Sequence, residues 1–284
     1  MNNAVFQLLY QFEGAVTEKQ IRQVLNLNSR SEIDQLRNLL EIDKRFVRPS
    51  DSGWTCTPLE MLVEDRPISE IEFVITDLET TGSIKGKDRI IEIAALKVKN
   101  GQVIDKFESL VDPQKKIPWQ IVNLTKINNE TVENAPMIEE VLPQFTQFAE
   151  NGIFVAHNSL FDYSFIMSEL ERLNLKVFNP QIEICTFRLA RKLLPNVRAR
   201  GISGLCIYFD YEMENRHRAM SDVLATKFFL DRFLQQLEKM DIKTLYQLIE
   251  FQKDRMTKKE LIKRIKRLRK KRSKATITKL VIPN

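Results

Sequence analysis

The stretch Phe73-Val74-Ile75-Thr76-Asp77-Leu78-Glu79-Thr80-Thr81-Gly82, residues 73–82, determines which fold we expect for the rest of the chain. The apolar run from Ile71 to Ile75 predicts a buried strand. It ends in the acidic pair Asp77 and Glu79, ahead of a polar turn at residues 80–82 whose backbone amides should be free to meet a ligand. Side chains two residues apart on a strand point to the same side, so both carboxylates should project together. Such like charges repel each other unless positive charge lies between them, and hard divalent cations with oxygen ligands meet that need. The alternative is a strand that simply ends in a solvated acidic turn.

Length and composition indicate a water-soluble protein. The 284 residues are 43% hydrophobic and 29% charged, which is ordinary for globular proteins, and this length usually corresponds to about two domains. No apolar run is long enough to cross a bilayer, and the N-terminus lacks the features of a signal peptide. The three cysteines (Cys56, Cys185 and Cys206) are far apart without CxxC spacing, which predicts buried free thiols in a reducing compartment. We therefore expect a cytoplasmic protein without membrane contact.

Charge is distributed unevenly along the chain, whose net charge is +6. Residues 253–284 contain fourteen Lys or Arg and two Asp or Glu, a net charge of +12, whereas the first 252 residues carry −6. This asymmetry predicts a polyanionic partner. A capping-box pattern at residues 257–260 predicts a helix in this segment. Its basic residues are expected to bind phosphate backbones, and a solvated tail is the alternative. The residues assigned to this contact are Lys263, Arg264, Lys266, Arg267, Arg269, Lys270, Lys271 and Arg272.

Four segments are predicted. Residues 1–62 form a winged-helix-like module, 63–70 a linker, 71–238 the domain that contains the acidic strand, and 239–284 a basic helical tail. The first segment combines three helical patterns with a hairpin signal at residues 51–53, and so resembles a winged helix-turn-helix module. DNA binding and protein docking both stay open for it, although several acidic residues on its third helix are unfavourable in a DNA groove.

The element order in the second domain predicts an α/β fold. Strands are expected at residues 90–98 and 103–111, joined by the tight turn Asn100-Gly101. Alternating helices and strands follow, with helices at 138–149 and 161–173 and short strands at 152–156 and 182–185. Further helices are expected at 186–194, 203–209 and 219–238. An antiparallel start followed by alternation indicates a mixed sheet flanked by helices, and not a doubly wound nucleotide-binding sheet.

Two further segments carry candidate site residues. His157-Asn158-Ser159-Leu160-Phe161-Asp162 lies where a buried strand meets a helix, so Asp162 would sit in the first helical turn, where the helix dipole favours a carboxylate. His217-Arg218-Ala219-Met220-Ser221-Asp222 precedes another helix. Taken alone, Asp162 is an ordinary helix cap and His217 an ordinary surface histidine.

Together and in this order, the three segments resemble the DEDDh, or DnaQ-like, 3′–5′ exonucleases. The matching patterns are Asp-x-Glu-Thr-Thr-Gly, His-Asn-x-x-Phe-Asp and His-x-Ala-x-x-Asp. The resemblance covers roughly residues 71–238. Within this family, the chain most resembles the proofreading epsilon subunit of bacterial DNA polymerase III. It implies a ribonuclease H-like fold and removal of nucleoside 5′-monophosphates from single-stranded or frayed 3′ ends, in proofreading or repair.

The resemblance also implies a cofactor and roles for the matching residues. Asp77, Glu79, Asp162 and Asp222 would hold two divalent cations, Mg²⁺ or Mn²⁺, which suit hydrolysis of a phosphodiester. His217 would accept the proton of the attacking water, since its reference pKa lies near neutrality. Contacts with the terminal nucleotide are assigned to Leu78, Thr80, Thr81, Gly82, His157, Asn158 and Phe161.

Three functions remain as hypotheses. The first is a DNA exonuclease acting on single-stranded 3′ ends, beside a DNA polymerase or another replication or repair protein. The second is a 3′–5′ exoribonuclease, because the same site suits RNA and no residue is seen to recognise a 2′-hydroxyl. The third is a non-catalytic nucleic-acid-binding adaptor, which the full set of carboxylates and His217 disfavours.

Overall fold

A computed structural model shows two compact units, one of residues 1–64 with 253–284 and one of residues 65–252. The basic residues assigned to phosphate binding, 263–272, lie outside the described part of the chain, and the four-segment division stays a prediction. The described residues are 5, 8, 9, 12, 15–43, 46–50, 53–56, 65–175 and 182–253.

The first unit contains two capped helices and a hairpin. Thr17 with Gln20 and Ser29 with Glu32 form capping boxes, which satisfy backbone donors at the helix starts. On the second helix, Arg37 pairs with Glu18 at 3.2 Å and with Asp34 at 3.7 Å. This arginine is therefore already engaged within the unit. The elements are α1 (Glu18–Leu25), α2 (Arg30–Ile42), β1 (Phe46–Ser50) and β2 (Gly53–Cys56).

The second unit is built on a five-stranded mixed sheet, which confirms the predicted α/β fold. Its strands are β3 (Glu72–Thr80), β4 (Ile90–Lys99), β5 (Gln102–Leu110), β6 (Ile153–Ala156) and β7 (Glu183–Cys185). The order is β5-β4-β3-β6-β7. β3, β4 and β5 pair antiparallel, whereas β6 runs parallel to both β3 and β7. The central strand β3 and the parallel β6 therefore end at the same edge of the sheet.

Helices cover this sheet, and most begin and end within two residues of the predicted bounds. The sequence patterns do not predict the short helices at 119–125 and 129–132. The helix at 245–252, within the segment assigned to the tail, packs on β7, where the Gln252 side chain accepts from Cys185 N and donates to Glu183 O. The helices are α3 (Trp119–Thr125), α4 (Asn129–Val132), α5 (Ile138–Phe148), α6 (Leu160–Arg172), α7 (Thr186–Leu193), α8 (Ile202–Phe209), α9 (Ala219–Lys239) and α10 (Leu245–Gln252).

Strand alternation determines which face of the sheet carries the acidic pair. Val74 and Leu78 lie in a hydrophobic cluster with residues of α5 and α6, such as Phe145 and Tyr163. Asp77 and Glu79 occupy the alternate positions of β3 and therefore point to the other face. Helix α9 packs against β3 and β4 and carries Asp222. The core thus directs the first and third sequence motifs toward one another.

Two smaller expectations can be compared with the structure. None of the three cysteines is in a disulfide bond, but only Cys185 is buried, and Cys56 and Cys206 are half-buried, so the expectation that all three are buried is wrong. None of the described helices is both long enough and apolar enough to pass through a bilayer.

Candidate active site

The acidic pair lies within strand β3 and not after its end. Antiparallel pairing with β4 continues through Asp77 opposite Ala94, Glu79 opposite Glu92 and Thr80 opposite Ile90. The strand thus continues beyond the apolar run that stops at Ile75, because β4 supplies backbone partners for the polar residues as well. The ladder holds both carboxylates on a rigid element.

Asp162 is fixed to this strand by a hydrogen bond. It lies in the first turn of α6 and is 3% exposed. Its Oδ1 accepts a hydrogen bond from the backbone N–H of Leu78, at 3.2 Å. Leu78 stands between Asp77 and Glu79, so this bond brings the second motif against the first.

Asp222 and His217 complete the acidic group from the third motif. Asp222 lies in the first turn of α9 and is 6% exposed, while His217 lies on the loop that enters this helix, with a left-handed φ of +64°. Ligand atoms of Glu79, His217 and Asp222 all lie within 4.8 Å of one another. The structure thus brings the first and third motifs together.

Burial and mutual repulsion make the charged forms of these carboxylates unfavourable. Burial raises the pKa of Asp77 well above its usual range, and the neighbouring Asp162, Asp222 and Glu79 raise it further. Burial, then Asp222 and Glu92, raise the pKa of Glu79 to about 8.

The other two carboxylates behave similarly. Burial raises the pKa of Asp162 to about 8, against the hydrogen bonds it accepts from backbone N–H groups, including that of Leu78. Burial also raises the pKa of Asp222 to about 6, although Arg216 lowers it. Burial lowers the pKa of His217, and Arg216 lowers it further, so its imidazole is neutral at neutral pH.

These residues fit a divalent metal ion. Four carboxylates with raised pKa values share one site, and Oδ1 of Asp222 is buried without a hydrogen-bond partner among the described residues. A buried acceptor of this kind is costly unless something positive meets it. Oxygen donors in this number suit Mg²⁺ or Mn²⁺.

A pH dependence of stability follows for the metal-free protein. Free carboxylates have a pKa near 4, whereas that of Glu79 is about 8 when folded, so the folded state holds more protons between these values. This stabilising contribution is complete below pH 4 and is lost as the pH rises toward 8. The free energy of unfolding should therefore fall over this range by on the order of a few kcal/mol, and the melting temperature should fall with it.

Thermal unfolding in a chelator across this pH range tests the expectation. Glu79→Gln should flatten the profile, whereas Glu171→Gln, at an exposed position of α6, should leave it unchanged. Added Mn²⁺ should stabilise the protein most at the upper end of the range. Identical profiles for the wild type and Glu79→Gln would contradict these pKa values.

The polar turn after the acidic pair differs from the prediction of free backbone amides. Thr80 belongs to β3, and its Oγ1 donates to Gly82 O at 2.6 Å. Thr81 N–H donates to Arg89 O at 2.8 Å, so it is not free. A side chain at Gly82 would collide with the Asp88 carboxylate, which caps Ile84 N–H. The absence of a side chain at Gly82 thus lets the Asp88 carboxylate lie close to the backbone of this loop.

The remaining residues assigned to the substrate have different surroundings. Leu78 is 5% exposed and lies in the core, so its side chain is not available to nucleotide bases in this conformation. Phe161 is half-buried and its ring stands 4.8 Å from that of Phe165. His157 bonds Thr186 Oγ1 through Nδ1 at 2.9 Å and packs edge-on against Phe229. Asn158 is exposed, with a left-handed φ of +71°.

Two residues beside the site are not singled out by the sequence patterns. Glu92 on β4 is 1% exposed and faces Glu79 across the ladder, and Arg218 binds its carboxylate. The available signal for Glu92 is a single charge within the apolar run Ile90-Ile91-Glu92-Ile93. A lone carboxylate in a buried strand requires a partner.

A family model described as RNase_T: Exonuclease matches residues 74–228. Among curated proteins, the chain is 40% identical over 176 residues to the PolC-type DNA polymerase III of Caldanaerobacter subterraneus subsp. tengcongensis, covering 62% of this chain and 12% of that protein. It is 38% identical over 178 residues to the PolC-type DNA polymerase III of Clostridium perfringens, covering 61% and 12%. The chain thus matches only about 12% of the length of these relatives.

Solved structures show the same architecture. One is Exonuclease X in complex with 5′ overhanging duplex DNA, with a TM-score of 0.50 and 26% identity, covering 63% of this chain and 99% of that one. Another is E. coli Exonuclease I in complex with a dT13 oligonucleotide, with a TM-score of 0.53 and 17% identity, covering 61% and 43%. The second likeness concerns the fold alone.

Proposed function

Since this chain belongs to the RNase_T exonuclease family, we propose that it is a metal-dependent 3′–5′ exonuclease acting on DNA. Its substrates are single-stranded or frayed 3′ ends, and its products are nucleoside 5′-monophosphates. The observation that supports this most strongly is the meeting of four carboxylates at one edge of the sheet, where burial, and then repulsion within the group, raise the pKa values of Asp77, Glu79 and Asp162. The four carboxylates are those of Asp77, Glu79, Asp162 and Asp222.

The carboxylates and His217 have separate tasks in this reaction. When bound, two Mg²⁺ or Mn²⁺ ions held by the four carboxylates would activate water and stabilise charge on the phosphate. His217 is neutral at neutral pH because burial lowers its pKa, so its imidazole can accept the proton of the attacking water. The water oxygen bonds to phosphorus, and the bond between phosphorus and the 3′ oxygen of the preceding nucleotide breaks. That oxygen takes up a proton from solvent and becomes the 3′-hydroxyl of the shortened strand.

The chain holds this arrangement before substrate binds. The Leu78 N–H to Asp162 bond fixes α6 against β3, and the ladder with β4 fixes Asp77 and Glu79. Rigid placement of acidic groups lowers the reorganisation needed during the reaction. Of the residues assigned to the nucleotide, Phe161 is the best placed for stacking, because it is half-buried beside Asp162 and stacking tolerates any base.

A substrate panel tests the proposed function. Purified protein with Mg²⁺ or Mn²⁺ is incubated with labelled single-stranded DNA, single-stranded RNA, matched duplex and duplex with a mismatched 3′ end. We expect single-stranded and mismatched DNA ends to be shortened fastest. Faster shortening of RNA would favour the exoribonuclease hypothesis, and no shortening of any substrate would favour the adaptor.

DNA and a replication setting are supported by the relatives. The PolC-type proteins are DNA polymerases by name, and the Exonuclease X complex contains DNA. We propose that this chain works beside a DNA polymerase or another replication or repair protein. Shortening of a mismatched primer before its extension by a polymerase would support this role.

The basic segment 253–284 is predicted to bind nucleic acid, and a deletion tests this. Removing it should weaken binding to long single strands and flatten the salt dependence of binding, with the slope reduced by about 0.7 for each phosphate that the segment binds. Turnover of very short oligonucleotides should change little. Titrations at several salt concentrations measure the slope, and an unchanged slope would show that the segment does not bind phosphates.

A further inference from the structure

Glu92 and Arg218 form a bidentate ion pair beside the acidic site. Arg218 Nη2 lies 2.6 Å from Glu92 Oε1, and Arg218 Nε lies 3.1 and 3.2 Å from the two carboxylate oxygens. The backbone N–H of Ala219 also donates to Glu92 Oε2, at 2.9 Å. Both oxygens of this buried carboxylate are therefore occupied by donors from one short segment.

This ion pair joins the elements that carry three of the site residues. Glu92 stands directly opposite Glu79 in the ladder of β3 and β4. Arg218 follows His217 in sequence and is the N-cap residue of α9, whose first turn contains Asp222. The sheet is thus tied, at the position beside Glu79, to the loop of His217 and the start of the helix of Asp222.

The loop before Arg218 has an unusual backbone conformation. Asn215 and His217 both have left-handed φ values, of +46° and +64°. Residues other than glycine adopt this region at some cost, and they stay there when surrounding contacts hold them. Arg218 and Ala219 provide such contacts immediately after His217.

An ion pair of this kind is better suited to fixing geometry than to raising stability. Removing a carboxylate from water offsets much of the attraction that the pair gains. The planar guanidinium, in contrast, meets both carboxylate oxygens in one orientation, which a lysine ammonium cannot reproduce.

We propose that Glu92 and Arg218 are positioning residues for the exonuclease reaction, which orient His217 and Asp222 toward Glu79. This rests on the proposed function. This role requires no contact between either residue and the substrate. They act by holding the loop and the helix start at the distance at which His217 and the carboxylates form one site.

Steady-state and single-turnover rates on single-stranded DNA test this with matched variants. Arg218→Gln should lower kcat about 10- to 100-fold, the range expected when a reacting group is displaced by about 1 Å, while KM changes far less. Arg218→Lys should recover part of kcat. Lys227→Gln is the control, because it removes the Lys227–Asp231 ion pair on the same helix and should leave kcat unchanged.

A double-variant comparison separates positioning from a general loss of stability. In the His217→Ala background, Arg218→Gln should cause a clearly smaller further loss than in the wild type, because residues that act as a unit do not contribute additively. Losses that multiply in full would overturn the proposal, as would wild-type kcat in Arg218→Gln.

Two further outcomes are distinguishable. If Arg218→Gln does not fold, the same rates are measured for Arg218→Lys instead. Wild-type kcat in that variant would overturn the positioning role. An inactive wild type would overturn the proposed function itself, whereas an active wild type with unaffected Arg218 variants would overturn only the positioning role.

Discussion

Replacing Asp77 with asparagine is expected to lower nucleotide release at least about 10³-fold, because metal-ion stabilisation of the reaction supplies several kcal/mol and each 1.36 kcal/mol is a factor of about ten. Asparagine has nearly the same shape, so the fold should persist. Since burial, and then repulsion from Asp162, Asp222 and Glu79, disfavour the charged form of Asp77, the variant should unfold at an equal or higher temperature than the metal-free wild type at pH 8.

The combination of lower activity and retained stability is the informative result. Asp105→Asn is the control, since Asp105 is exposed on β5, and its activity should match the wild type. A variant that is inactive and also unfolded at pH 8 would instead show that Asp77 is needed for the fold.

Replacing His217 with alanine is the second large expected effect, about 10²- to 10⁴-fold in rate, the usual range for the loss of a general base. Metal affinity should persist because the four carboxylates remain. Raising the pH should restore part of the rate, since hydroxide then forms without the imidazole. Asp222→Asn should weaken metal binding as well as turnover.

The structure makes this experiment decisive, because His217 lies with Glu79 and Asp222 in a group that could itself hold an ion. Calorimetric Mn²⁺ titration beside single-turnover rates separates the two roles. Loss of Mn²⁺ binding in His217→Ala would make His217 a ligand and not a base, and an unchanged rate would exclude both roles.

The parts of the fold that are predictable from the sequence are those with local signals. Apolar strand runs, the Asn100-Gly101 turn and the helical periodicity of residues 138–148 and 219–239 need no knowledge of distant partners. The three acidic motifs are found in the same way, because each lies where a strand or helix pattern changes. Together and in this order they resemble the DEDDh exonucleases, and that resemblance implies one site.

Features that depend on pairing between distant segments cannot be predicted from such local patterns. The register of β3 and β4 puts Glu92 opposite Glu79, and no local pattern gives that register. The same pairing continues β3 beyond the apolar run of residues 71–75 and through Asp77 and Glu79. Leu78 is a different case, because local strand alternation already turns this residue away from Asp77 and Glu79 and toward the core.

The most direct test of the whole account is the direction and product of cleavage. Single-stranded DNA labelled at its 5′ end is incubated with the protein and Mn²⁺, and the products are resolved by length and by chromatography. We expect a ladder that shortens one nucleotide at a time from the 3′ end, with nucleoside 5′-monophosphates as the released product and no ladder with Asp77→Asn. Immediate release of the 5′ label as a mononucleotide, or equal shortening by Asp77→Asn, would contradict it.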